Sequence, residues 1–162
     1  MTDKSVLDGY GGQTLAELLA MTDAYRADSV IMAIEEALLR KDDAEQSPSE
    51  RVVLVVEALE REVNNGGYNQ FFLNEPSYAR EVVPALTAIG CTESARIAGD
   101  ALAVLGPQPN WNEEQISAAA ADMCDDDMSK LGELDDEFFA YPDPIEDRLL
   151  AYIRAHAAEI TL

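Results

Sequence analysis

Residues 50–74 read ERVVLVVEALEREVNNGGYNQFFLN, and the reading of this stretch decides the fold. Alone, the run Val52-Val53-Leu54-Val55-Val56 suits a buried strand, because β-branched side chains favour one. The apolar pattern then continues through Leu59 and Val63, with Glu57, Glu60, Arg61 and Glu62 between. Strict alternation fails over that span and a helical period holds. Just upstream, Ser47-Pro48-Ser49-Glu50 forms a capping box: Ser47 caps, Pro48 sits where no N–H is needed, and Glu50 reaches back. The pattern predicts a helix from residue 48 to about residue 64, apolar nearly all round its first half and so central in a bundle. Asn64-Asn65-Gly66-Gly67 should end it, since Asn terminates helices well and paired glycines permit positive φ. A short aromatic helix over residues 68–73 follows. Asn64, Asn69 and Gln70 are placed to hydrogen-bond the backbone groups freed at two abutting helix ends, where an unpaired buried group costs about 1–3 kcal/mol.

The flanking segments carry the same period. Thr14-Leu15-Ala16-Glu17 is a capping box that opens a short helix with Leu15, Leu18 and Leu19 inward. Residues 25–41 place Val30, Ile31, Ile34, Ala37 and Leu38 on one face. A helix is expected over 78–89, bent by an interior Pro84 and closed by Gly90. Thr92 is expected to cap the next, over 93–105, and Asn112 to Gln115 to box one over 116–123. Residues 128–140 should turn Leu131, Leu134, Phe138 and Phe139 inward. Asp143 should cap a last helix from 144 to about 158 whose stripe is Ile145, Leu149, Tyr152, Ile153 and Ala157. No segment reads as a sheet. The expected fold is all-α, a single-domain multi-helix bundle over 13–162 of about seven to eight helices by periodicity. Residues 1–12, aperiodic and with three glycines, read as a flexible N-terminal arm.

Composition bounds the function. Thirty-two acids oppose eleven Lys and Arg, for a net charge of -21 and a pI near 4.1. Such a chain repels nucleic acid and anionic membrane and attracts basic partners through a salt-dependent field. The longest apolar run, Val52 to Val56, is too short to cross a bilayer, and the start MTDKSVLDGYGG has no apolar signal region. Cys91 and Cys124 form no CxxC motif and read as reduced thiols, which points to the cytoplasm. No GxGxxG, P-loop, GxSxG or HExxH motif is present, and the only histidine, His156, reads as a surface residue. Asp125, Asp127, Ser129, Glu133 and Asp136 fall at the ligand positions of a calcium loop, but Lys130 stands where the turn glycine belongs. The expectation is a non-enzymatic protein with no metal and no cofactor.

The carboxylates are unevenly spread. From Leu105 onward fourteen acids face Lys130, Arg148 and Arg154, a net of -11 over 58 residues, against -10 over the preceding 104. Asp122, Asp125, Asp126, Asp127, Glu133, Asp135, Asp136, Glu137, Asp143, Glu146 and Asp147 are the candidate partner-binding residues. Helical neighbours three or four apart sit about 5–6 Å from one another. A nucleic-acid strand carries a charge about every 3.4 Å of axis, so rows of helical carboxylates can imitate a line of phosphates.

The segment Leu59-Glu60-Arg61-Glu62-Val63-Asn64-Asn65-Gly66-Gly67-Tyr68-Asn69-Gln70-Phe71-Phe72-Leu73-Asn74 resembles the signature of the bacterial DNA mimic protein nineteen family. Ala88-Ile89-Gly90 with Ala95, then Leu134-Asp135-Asp136-Glu137-Phe138-Phe139 and Leu149-Leu150-Ala151-Tyr152-Ile153, follow in the expected order. The resemblance implies an all-helical homodimer. It also implies that acidic side chains stand in for duplex DNA and keep a basic DNA-binding protein, such as a helix-turn-helix transcription factor, from its operator. Within the signature, Asn64, Asn65, Gly66, Gly67, Tyr68, Asn69, Gln70 and Phe71 are read as structural. Two other readings stay open: a peptide- or protein-binding adaptor with a groove near Tyr68 and Trp111, and an unrecognised enzyme or metal-binding protein using Glu62, Asn64 and Gln70.

Overall fold

The computed structural model describes residues 4–162. Eight α-helices account for the regular structure of the described residues: α1 (Leu15–Met21), α2 (Ala27–Leu38), α3 (Pro48–Asn74), α4 (Val82–Ala88), α5 (Thr92–Leu105), α6 (Glu113–Ala121), α7 (Asp125–Phe139) and α8 (Ile145–Ala155). Short 3₁₀ turns lie at Asp43–Glu45, Pro76–Tyr78 and Ala157–Glu159. One isolated bridge, Ser5 with Tyr25, is the sole β pairing among them. The fold is all-α, as the periodicity predicts. The chain groups into two compact units, one of Ile145–Leu162 with the chain up to Glu57, the other Ala58–Pro144.

In the first unit, α1 packs on α2 and α2 on α8. Leu15, Leu18, Val30, Ile34, Leu38, Leu149 and Ile153 are all buried there. The α1 capping box forms as its sequence dictates, with Glu17 N–H donating to Thr14 Oγ1 at 3.3 Å. At the start of α3, Glu50 is 1% exposed and does three jobs. Its carboxylate pairs with Lys41 Nζ at 2.7 Å, accepts Ser47 N–H at 2.9 Å, and accepts Thr161 N–H at 2.8 Å. Ser47 Oγ donates to the Glu159 carbonyl at 2.7 Å, so the C-terminal segment is clasped to the helix start. Burial pushes the Glu50 carboxyl up, yet the hydrogen bonds from Lys41, Thr161 and Ser47 outweigh it and hold the group below the usual carboxylate range. Of the segment read as an arm, residues 1–3 lie outside the described residues. In the rest, Ser5 O accepts Arg26 N–H at 2.9 Å, and Leu7 N–H donates to Ser29 Oγ at 3.0 Å.

In the second unit, α5 packs against α4, α6 and α7. Leu59, Val63, Tyr68, Phe71, Phe72, Leu86, Ile97 and Phe138 are fully or almost fully buried. Several local expectations are corrected here. Pro84 does not bend a helix interior: α4 begins at Val82, so Pro84 falls in its first turn, where the missing N–H has no partner to lose. Thr92 is the first residue of α5 rather than its cap. Asp143, expected to cap α8, instead accepts the Ser94 N–H at 2.8 Å and so satisfies the first turn of α5. Helix α7 starts three residues earlier than the apolar period suggests, because Asp125, Asp126 and Asp127 suit the positive end of its dipole. Phe139, expected inward, is 44% exposed. α8 closes at Ala155, and Ala157 lies in the following 3₁₀ turn.

Candidate functional site

The glycine pair is the pivot of the second unit. Gly66 has φ -162° and ψ 18°, and Gly67 has φ 78° and ψ -177°, so the helical path is interrupted within α3. The Gly67 conformation is open almost only to glycine. Interruption strips Tyr68 N–H of its intrahelical acceptor, and Asp135 of α7 supplies another, Oδ1 at 2.8 Å. A Cβ on Gly67 would lie 2.2 Å from Asp135 Oδ2, so the carboxylate occupies the space a side chain would need. Burial pushes the Asp135 carboxyl up, and Asp136 adds to this, against the opposing bond from Tyr68 N–H. Glu62, also buried, accepts the Gln70 and Asn74 amides at 2.9 and 2.8 Å and thereby ties the two arms of α3 together. Burial raises its carboxyl, but those amides and Arg61 more than offset this and leave it lowered. Asn69 Nδ2 donates to the Ala120 carbonyl at 2.8 Å, and Asn64 Nδ2 to the Glu60 carbonyl at 2.7 Å. Tyr68 meets Phe138 edge-on at 5.9 Å; Phe71 is buried beside Phe72, and Asn65 is exposed. Glu62 and Gln70 thus meet, while Asn64 turns to Glu60 and Tyr141.

The eleven candidate acids divide by what they touch. Four serve the fold. Asp135 holds Tyr68 N–H, Asp143 holds Ser94 N–H, Asp127 pairs with Lys130 at 2.8 Å, and Glu137 pairs with Arg96 at 2.6 Å. Asp122, Asp125, Asp126, Glu133 and Asp136 are exposed and form no salt bridge among the described residues. Glu146 and Asp147 belong to the other unit, in the first turn of α8. Burial, reinforced by Asp28 and Asp147, pushes the Glu146 carboxyl up.

At about 100° per residue, Asp125, Asp126, Glu133, Asp136 and Glu137 fan across about a third of the circumference of α7. The buried Leu131, Leu134 and Phe138 take the opposite side. Along the axis, Asp125 to Asp136 spans about 16 Å at 1.5 Å per residue. Four carboxylates with no salt bridge among the described residues divide that length into three intervals averaging about 5.5 Å, wider than the roughly 3.4 Å of axis per charge on a nucleic-acid strand. The unit itself holds seventeen acids and four bases, and every base is engaged. Arg61 pairs with Glu62 and Glu75, Arg96 with Glu93, Asp100 and Glu137, and Lys130 with Asp127. Arg80 donates to the Trp111 carbonyl at 3.0 Å and to that of Gln108. The Arg96 triad escapes a search for acidic density alone; the i,i+3 and i,i+4 spacing of Glu93, Arg96 and Asp100 is the signal that finds it.

Trp111, Arg80, Glu113 and Ile116 help to line an open cavity of about 580 Å³. Tyr68 is 0% exposed and contributes nothing to it. In the other unit, Val6, Met32 and Leu39 stand 56–64% exposed around a groove of about 340 Å³. Among the described residues no group of three or more His, Cys, Asp or Glu side chains is arranged to hold a metal ion, and no helix is long and apolar enough to cross a membrane. A family model described as DMP19-like protein matches residues 44–156. No curated protein and no solved structure matches the chain.

Proposed function

Because the chain belongs to the DMP19-like protein family, we propose that it acts as a DNA mimic, binding a basic DNA-binding protein and blocking its access to DNA. One observation carries this reading. The outward face of α7 holds Asp125, Asp126, Glu133 and Asp136 without salt bridges, in a unit whose bases are all committed elsewhere. Within the unit, the cations beside that face are Lys130, held by Asp127, and Arg96, held by Glu93, Asp100 and Glu137. Carboxylates on a helix are also pre-positioned, so little ordering opposes binding. The protein works as a homodimer in the cytoplasm and by occupancy alone, with no catalytic step and no cofactor. Sedimentation of the purified chain checks the dimer.

The test has two stages. Partners captured from the host at low salt are purified, and each is bound to its own duplex carrying a fluorescent label. The chain should displace that duplex, and its affinity should fall at least tenfold between about 0.05 and 0.2 M salt, a range over which phosphate-binding proteins lose about 10³–10⁵. The triple change Asp126→Lys, Glu133→Lys and Asp136→Lys should abolish displacement while helicity and sedimentation stay unchanged, since all three side chains are exposed. Displacement that survives this change at physiological salt would sink the proposal.

A further inference from the structure

Helix α7 carries two seams with the 4–3–4 spacing that helices use to pack on helices. The inner one, Asp127, Leu131, Leu134 and Phe138, meets the unit's own core through its last three residues. The outer one lies a single residue further on: Met128, Gly132, Asp135 and Phe139. Met128 and Phe139 are 42% and 44% exposed, two of the six large apolar side chains that are exposed among the described residues. A Cβ at Gly132 would meet nothing within 4 Å, so open space lies in front of the helix backbone between them. Asp135 is turned to Tyr68 N–H with Gly67 against its carboxylate, so the seam is open at Met128, Gly132 and Phe139 and carries no charge there. The acid row borders this seam directly, with Asp125 and Asp136 nearest and Glu133 and Asp126 beyond, from the helical period.

We propose that the outer seam receives an α-helix of the partner, apolar along one face and rich in Lys and Arg beside it. The inference rests on the reading of the acid face as a surface for a basic protein, and it names the element that docks there. A 4–3–4 row matches the side-chain spacing of another helix; Gly132 admits close approach, and Met128 and Phe139 act as knobs about 16 Å apart. The flanking carboxylates select the charge of the incoming helix, as flanking charges do in helix pairs. A second copy of this chain is disfavoured on the same ground, because it would bring Asp125 and Asp136 against like charge on a chain of net -21.

Two labelled peptides of identical Leu and Lys composition test this against the full chain. One sets its leucines at i, i+3, i+4 and i+7; the other disperses them round the helix. The amphipathic peptide should bind at least tenfold tighter by fluorescence anisotropy. Met128→Ser with Phe139→Ser should bring it down to the level of the dispersed peptide, and Gly132→Gln should do so in part. Circular dichroism and sedimentation should not change. Equal binding of both peptides, still salt-dependent, overturns the seam and leaves the acid-face reading standing. Failure of both peptides to bind at low salt overturns both. A preference that persists in the Met128/Phe139 variant places the site elsewhere, and a variant that becomes monomeric makes the seam an interface between copies; either result refutes the proposal.

Discussion

Replacing Gly67 with Ala tests the pivot on which the second unit turns. Two costs are legible in the geometry. At φ 78° and ψ -177° an alanine pays about 1–3 kcal/mol of backbone strain. Its Cβ, 2.2 Å from Asp135 Oδ2, must also expel the carboxylate that caps Tyr68 N–H, and loss of such a cap costs about 1 kcal/mol. Gly67→Ala should therefore destabilise the chain by about 2–4 kcal/mol, a large part of the 5–15 kcal/mol typical of a domain. Urea unfolding followed by circular dichroism at neutral pH measures it. The diagnostic comparison is a double-mutant cycle. Asp135→Ala should cost about 1 kcal/mol in the parent and close to nothing in the Gly67→Ala background, where the cap is already gone. Gly66→Ala should be milder, since its φ of -162° is open to any residue and its Cβ would meet the Gln70 side chain, whose end can shift at the expense of its bond to Glu62. If Asp135→Ala costs the same in both backgrounds, the carboxylate is not what glycine makes room for, and the account of the pivot fails.

Asp135→Asn keeps an acceptor for Tyr68 N–H and removes a charge that burial and Asp136 disfavour. A folded pKa raised above the unfolded one means stability that is present in acid and lost as pH rises through it; the Asn variant should therefore gain on the parent at neutral pH, with the gain shrinking as pH falls through the raised Asp135 pKa. Glu50 has the opposite sign: its lowered carboxyl stabilises at neutral pH, and that support disappears as pH falls through the folded value. Lys41→Met, which strips the buried Glu50 of its cation, should cost about 2–3 kcal/mol in urea melts, discounted from a fully buried pair because Lys41 is partly exposed. Gly132→Ala should stabilise α7 by about 0.5–1 kcal/mol, since a Cβ there meets nothing; a loss of stability would mean the space is not open. Arg96→Gln releases Glu137, Glu93 and Asp100 from their shared cation and should tighten binding of a polylysine probe, most visibly at low salt.

Much of the fold is local physics and therefore legible in the chain. Apolar residues at helical spacing, the Thr14, Ser47 and Asn112 capping boxes, and the closing glycine Gly90 each act within a turn or two. The all-α class and most helix limits follow from them. The break at Gly66-Gly67 was legible for the same reason, because a positive φ is a property of one residue. What stayed hidden depends on neighbours far away in sequence. Asp135 and Asp143 look like any other acids in an acidic tract, yet each spends its charge on a backbone N–H more than forty residues distant. Periodicity predicted Phe139 inward, but Leu131, Leu134 and Phe138 take the core face of α7, and Phe139 is left 44% exposed at its edge. The sequence by itself determined that this chain is helical, heavily acidic and broken at one glycine pair, because propensity, capping and net charge are properties of short segments. Only the tertiary structure decided which carboxylates remain available, because that depends on which ones the fold consumes in capping its own helix ends and pairing its few cations.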